Sequence, residues 1–202
     1  VMRCEKRENN RRRGSLKVVG VYGFNNTSRM VLSLAVAKQL SEKCNTLFVN
    51  FETFGGFKGI LKGEEEQNLS DALYAFRQNH NQFHKNIVNA ISHYDRLDYI
   101  PDTSCADDID DIKAEELGTF VQGIGRELGY SYIVVDIGDG LRMPWNMMDC
   151  FDEIYMCDGD NYLEKSKVRN FENMVMERGM NNVVSAFKKL SLIHISEPTR
   201  LD

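Results

Sequence analysis

Apolar and polar positions alternate along this chain in two rhythms. Short runs, apolar on both faces and rich in β-branched or aromatic residues, recur at Lys17–Tyr22, Thr46–Phe51, Leu97–Ile100, Tyr132–Ile137 and Glu153–Met156. Between them lie longer stretches with helical spacing: Ser28–Lys43, Leu69–Asn79, Gln82–His93, Lys113–Leu128 and Leu163–Arg178. In the first of these, Val31, Leu34, Ala35 and Ala37–Lys38 carry the spacing. Runs apolar on both faces are what parallel strands need when helices cover both sides of a sheet. Strands alternating with helices predict right-handed βαβ units. The expected fold is α/β, with three layers and a mostly parallel sheet in the middle.

Composition narrows the class. The chain has 202 residues, enough for one sizeable core, with 42% hydrophobic and 27% charged residues. A formal net charge of −5 gives no strong nucleic-acid signal, although the sum would hide a local basic patch. The five cysteines, Cys4, Cys44, Cys105, Cys150 and Cys157, form no C-x-x-C pair and suit no zinc module. They read as free thiols of a reducing, cytoplasmic compartment, with Cys150 and Cys157 as core thiols beside a strand. No apolar run approaches the roughly 20 residues of a membrane helix.

The two ends read differently from the middle. Residues 1–16 are polar, with the basic cluster Arg11–Arg13, and are expected to be a linker leading out of something upstream. Leu190–Arg200, LSLIHISEPTR, resembles the conceptual translation of a sequencing-library adapter. Residues 190–202 are therefore expected to be a non-native tail, and the domain is expected to span 17–189, truncated at its C-terminal side.

Candidate chemistry starts at residues 17–40, a buried strand, a polar loop and a helix. A phosphate-binding loop of this kind needs glycines for close backbone approach, a lysine for the β- and γ-phosphates and a Ser/Thr hydroxyl on Mg²⁺. Here Ser28-Arg29-Met30 stands where Gly-Lys-Thr is needed, and Asn25 and Asn26 stand for the glycine pair. Asparagine tolerates left-handed backbone angles, so the loop is expected to keep its turn. Arg29 is a planar fork rather than a compact ammonium, and Met30 has no oxygen for a hard cation. Thr27 and Ser28 offer hydroxyls out of register. The free N–H groups at the helix start would still attract an anion, which makes Asn25, Asn26, Thr27, Ser28 and Arg29 candidate phosphate-side residues.

Two further segments fit the same site. Tyr132–Asp136 is an apolar strand ending in a carboxylate, the Walker B pattern, in which the aspartate holds Mg²⁺. Asp136 is the candidate catalytic and metal residue. Asp139, in the loop Ile137-Gly138-Asp139-Gly140, is a second carboxylate placed to sense a γ-phosphate or position water. Asn50 and Glu52 close the second strand at the carboxyl edge, where open α/β sheets bind ligands.

Other clusters read as structure. Asp107–Asp111 is expected to be a solvated loop entering a helix. His80 and His84, with His93 nearby, lack the glutamate of a zinc-protease helix. Asp158-Gly159-Asp160-Asn161 opens like a calcium loop but has no glutamate at the twelfth position.

Taken together, VVGVYG at 18–23, TLFVNFETFGGF at 46–57, NLSDALYAFRQ at 68–78, LDYIP at 97–101, YSYIVVDIGDG at 130–140 and FDEIYMCDGDNYLEKSKVRNFENMVMERG at 151–179 resemble the MinD/ParA superfamily of P-loop ATPases. The wording is most similar to CpaE/TadZ-type pilus-assembly proteins with an "AAA domain". The resemblance implies ATP and Mg²⁺ as ligands, a homodimer, pilus or secretion-machinery proteins as partners, and at most peripheral contact with the inner face of the membrane. By residue it assigns the Walker B aspartate to Asp136 and the acidic position after the second strand to Glu52, with Asn50 replacing an aspartate. The family's signature lysine falls at Phe24 or Asn25 and is missing. These departures favour a regulatory or scaffolding factor with a degenerate Walker A and weak or no hydrolysis. An active deviant ATPase switch of the same fold and a ParA-like DNA-partition protein remain as alternatives.

Overall fold

The computed structural model describes residues 15–61, 67–78, 87–103, 105–110, 112–138, 144–157 and 161–190. The strands are β1 (Lys17–Gly23), β2 (Thr46–Asn50), β3 (Ser92–Tyr94), β4 (Leu97–Ile100), β5 (Tyr132–Asp136), β6 (Glu153–Cys157) and β7 (Phe187–Leu190). The helices are α1 (Asn26–Ser41), α2 (Leu69–Gln78), α3 (Ala106–Asp110), α4 (Ala114–Leu128), α5 (Tyr162–Glu177) and α6 (Asn181–Ala186). Tight 3₁₀ turns occupy Phe57–Gly59 and Pro144–Cys150. The strands form one sheet in the order β3-β4-β2-β5-β1-β6-β7. Every neighbouring pair is parallel except β3 with β4.

The predicted three layers are present. α1 covers one face, where Leu32 and Ala37 pack on Val19, Val21, Phe48 and Val134. α2, α4, α5 and α6 cover the other, with Leu73, Phe120, Phe171 and Val183 among residues packed on Leu47, Val49, Ile133 and Ile154. Alternate residues of each central strand thus face opposite cores, which is why these strands read as continuous apolar runs. Each buried side chain of Leu or Phe size stabilises the fold by roughly 1.5–3 kcal/mol.

Three local expectations are corrected, and one strand is added to those expected. The stretch 82–93 does not end as a helix: His93 lies on β3, opposite Asp98 of β4, with its Nδ1 2.7 Å from Asp98 Oδ1. A tight turn at Asp95 (φ 54°) forces this hairpin, and aspartate is among the few residues that accept such an angle. The acidic run beginning at Asp107 is helical through Asp110, held by buried Ile109, rather than a loop. Strand β7 extends the sheet beside β6. Last, the inner face of α1 is rotated from the apolar spacing. Val31 is exposed and Leu34 and Ala35 are half-buried, whereas Arg29, Leu32, Ser33, Ala37 and Ser41 are buried.

Cys157 is buried and Cys150 half-buried, and the four described cysteines are free thiols. Burial, with Asp149 beside it, pushes the Cys150 thiol up. Arg11–Arg13, His80, His84, Asp139, Asp158, Asp160 and residues 191–202 lie outside the described residues. No helix among the described residues is long and apolar enough to cross a membrane.

Candidate functional site

The site is built where β1, β2, β4 and β5 end. β1 stops at Gly23 and α1 begins at Asn26, so only Phe24 and Asn25 connect them. Asn25 is extended (φ −113°, ψ 106°), not left-handed as expected. Its Oδ1 accepts the Ser28 N–H at 3.0 Å, which makes it the N-cap of α1. Asn26, Thr27 and Ser28 are the first turn of the helix rather than an open loop. The physical reason is that an asparagine cap starts a helix as soon as it is free to do so, and no glycine here opposes it. Asn25 Nδ2 also donates to Glu164 Oε1 at 3.3 Å, tying this turn to the start of α5.

One turn into α1, Arg29 points into the molecule and is 1% exposed. Its Nε donates to Asp136 Oδ1 at 2.6 Å, its Nη1 to Asn26 Oδ1 at 2.9 Å, and its Nη2 to Glu52 Oε2. The second oxygen of Asp136 accepts from Ser33 Oγ at 2.7 Å. Asp136 is fully buried at the end of β5, where it pairs in register with Asn50 of β2 and Val21 of β1. Burial pushes the Asp136 carboxyl above its ordinary value; the charge of Arg29 and the Ser33 and Arg29 hydrogen bonds oppose this, and the charge of Asp102 adds to it.

Glu52 reaches this cluster because two chain exits approach closely. Phe51 donates its N–H to the Asp136 carbonyl at 3.1 Å. A Cβ on Gly138 would overlap the Phe51 carbonyl oxygen, so a glycine is required there. Asn50 lies one bond away from the cluster. Its Oδ1 accepts the Glu52 N–H at 3.1 Å, and its Nδ2 donates to Asp102 Oδ1 at 2.8 Å. Asp102 Oδ2 accepts the Phe57 N–H at 2.9 Å, pinning the segment after β2 over the edge.

Of the residues singled out in the sequence, the fold brings Asn26, Arg29, Glu52 and Asp136 into contact, with Asn50 behind them. Asn25 sits at the helix cap, Ser28 joins it through its backbone N–H, and Thr27 is exposed. Ser33 and Asp102 were missed. Ser33 follows Arg29 by four residues, so it shares that helix face, and Asp102 leaves β4 at the same carboxyl edge as Asn50. Among the described residues there is no group of three or more His, Cys, Asp or Glu that could hold a metal ion. The result is a closed ionic cluster: each nitrogen of Arg29 has an acceptor and each Asp136 oxygen a donor.

The β1–turn–α1 unit beside a parallel β5 ending in aspartate defines an α/β fold of the P-loop ATPase type. No family model matches the chain. No curated protein matches it either. Solved structures do, among them ParA and MinD proteins. A ParA family ATPase from Chlorobium tepidum superposes with a TM-score of 0.68 at 19% identity, over 87% of this chain and 73% of that one. MinD from the Aquifex aeolicus MinC:MinD complex gives 0.64 at 14%, over 87% and 68%. MinD from Pyrococcus horikoshii, complexed with Mg-ADP, gives 0.57 at 15%, over 87% and 68%. At these identities the likeness is one of fold.

Proposed function

We propose that this chain is a regulatory or scaffolding protein of ParA/MinD fold with a degenerate Walker A, acting with little or no ATP turnover. The observation that carries the reading is Arg29 buried on Asp136 and Glu52. Mg²⁺ and ATP do not fit these residues as they stand. The two Asp136 oxygens are taken by Arg29 and Ser33, and the Ser28 N–H is taken by Asn25. The two-residue connection replaces the longer glycine-rich cradle that phosphates require, and Met30 has no hard ligand for a cation.

Pilus or secretion-machinery placement is the biological setting we propose, on the strength of the sequence words shared with CpaE/TadZ-type proteins. The location that goes with it is cytoplasmic, with any membrane contact made through partners. Homodimerisation is supported by the carboxyl edge itself. Phe54, Tyr162 and Leu163 are the three most exposed large hydrophobic side chains described, at 85%, 79% and 72%, and all follow strands at that edge. Recruitment of partners has a parallel in the MinD that was solved with MinC.

Sedimentation and phosphate release test this together. The expected result is one oligomeric state with and without Mg-ATP, and no turnover above that of Asp136→Ala. ATP-dependent dimerisation, or turnover that Asp136→Ala abolishes, would overturn the proposal in favour of an active deviant switch.

A further inference from the structure

We propose that this pocket is a binding site for a guanidinium group, filled from within by Arg29, so that an organic cation has replaced metal and phosphate as its ligand. The inference rests on the reading above, in which Arg29 stays on Asp136 in the working protein.

Three acceptors from three places in the chain meet three different nitrogens of one planar group. Asp136 Oδ1 at the end of β5 faces Nε at 2.6 Å, Asn26 Oδ1 on the first turn of α1 faces Nη1 at 2.9 Å, and Glu52 Oε2 after β2 faces Nη2. A guanidinium has N–H groups in fixed directions, and a compact ammonium or a bare ion has no such fork. The pocket is also held by bonds that do not involve Arg29. Ser33 fixes the other oxygen of Asp136 at 2.7 Å, Asn50 holds the Glu52 N–H at 3.1 Å, and Phe51 is bonded to the Asp136 carbonyl at 3.1 Å. Two carboxylates facing one guanidinium leave excess negative charge, so the walls demand a cation even when the tether is removed. With only two carboxylates, and no set of three metal-binding groups among the described residues, divalent ions are poor substitutes.

Arg29→Ala opens the pocket without changing its walls. Its thermal midpoint is expected to fall by about 6–20 °C. Ethylguanidinium at millimolar concentration should restore at least half of that loss, saturably, and leave the wild-type midpoint unchanged. Ethylammonium, MgCl₂ and MnCl₂ at the same concentration should restore none of it. Recovery with Mg²⁺ or Mn²⁺ equal to that with ethylguanidinium, or no saturable recovery, overturns the guanidinium site. Arg29→Lys covers the case in which Arg29→Ala does not fold. It keeps the charge but loses the fork, so its midpoint should stay well below wild type, and a midpoint equal to wild type overturns the proposal. Mg-ATP added to wild type in the same assay separates the two readings. A raised wild-type midpoint sinks the scaffold reading, whereas failed rescue with no ATP effect sinks only the guanidinium site.

Discussion

Removing Arg29 should cost far more stability than removing any other polar residue of α1. The guanidinium serves three acceptors, two of them carboxylates, and Arg29, Asp136 and Glu52 are all buried. Arg29→Ala therefore leaves two carboxylates without their cation, and breaking a buried pair in this way costs about 3–5 kcal/mol. Asp136→Ala should cost less, because the guanidinium keeps Glu52 and Asn26. The two changes share one network, so the double variant should fall short of the sum of the singles by about 0.5–3 kcal/mol. Urea unfolding of the wild type, both single variants and the double variant measures all three quantities at constant slope. Additive singles, or an Arg29→Ala cost below about 1 kcal/mol, would refute the buried network, since that is the level of an exposed pair.

Three other outcomes are expected. Burial raises the Asp136 carboxyl above 3.8, so only between 3.8 and the raised value does the folded chain hold a proton there that the unfolded chain releases, and above it Asp136 is the carboxylate that faces Arg29. The stability linked to this group is full below 3.8 and falls as pH rises through the raised value. The thermal midpoint of wild type relative to Asp136→Asn should thus decrease with rising pH above about 4, and an increase would contradict the assignment. Asn25→Ala removes the α1 cap and the Glu164 contact and should cost about 0.5–2 kcal/mol by urea unfolding. Lys188 holds the Glu153 carboxyl below 4.5, the hydrogen bond being the largest cause, so that pair stabilises the β6–β7 junction above 4.5 and is lost as pH falls through the lowered value. The protection of the Phe187–Leu190 amides, measured as exchange relative to the intrinsic rate at each pH, should fall over that acid range in wild type and show no such step in Glu153→Gln.

The central strands were legible because both of their faces are buried, which removes polar residues from the run. β3 was not, because His93 and Tyr94 are exposed on a short edge strand that only its hairpin with β4 maintains. The inner face of α1 misled for a different reason. Its buried stripe contains Arg29 and Ser33, polar residues that look solvated in sequence. Their partner, Asp136, lies 107 and 103 residues further on, so nothing local announces it. The same distance explains the candidate site. The residue types at Arg29, Glu52 and Asp136 were readable one at a time, and the edge they share followed from the βαβ order. That the arginine turns inward to meet both carboxylates depends on the helix starting at Asn26, and this in turn follows from the Asn25 cap. The asparagine at 25 thus sets the backbone of this turn as well as its chemistry.

Arg29 is proposed to stand in the place of nucleotide and metal on Asp136. Calorimetric titration of wild-type protein with ATP in the presence of Mg²⁺ tests it most directly. No binding heat is expected up to millimolar ATP. A saturable isotherm with a micromolar Kd, lost in Asp136→Ala, would contradict it.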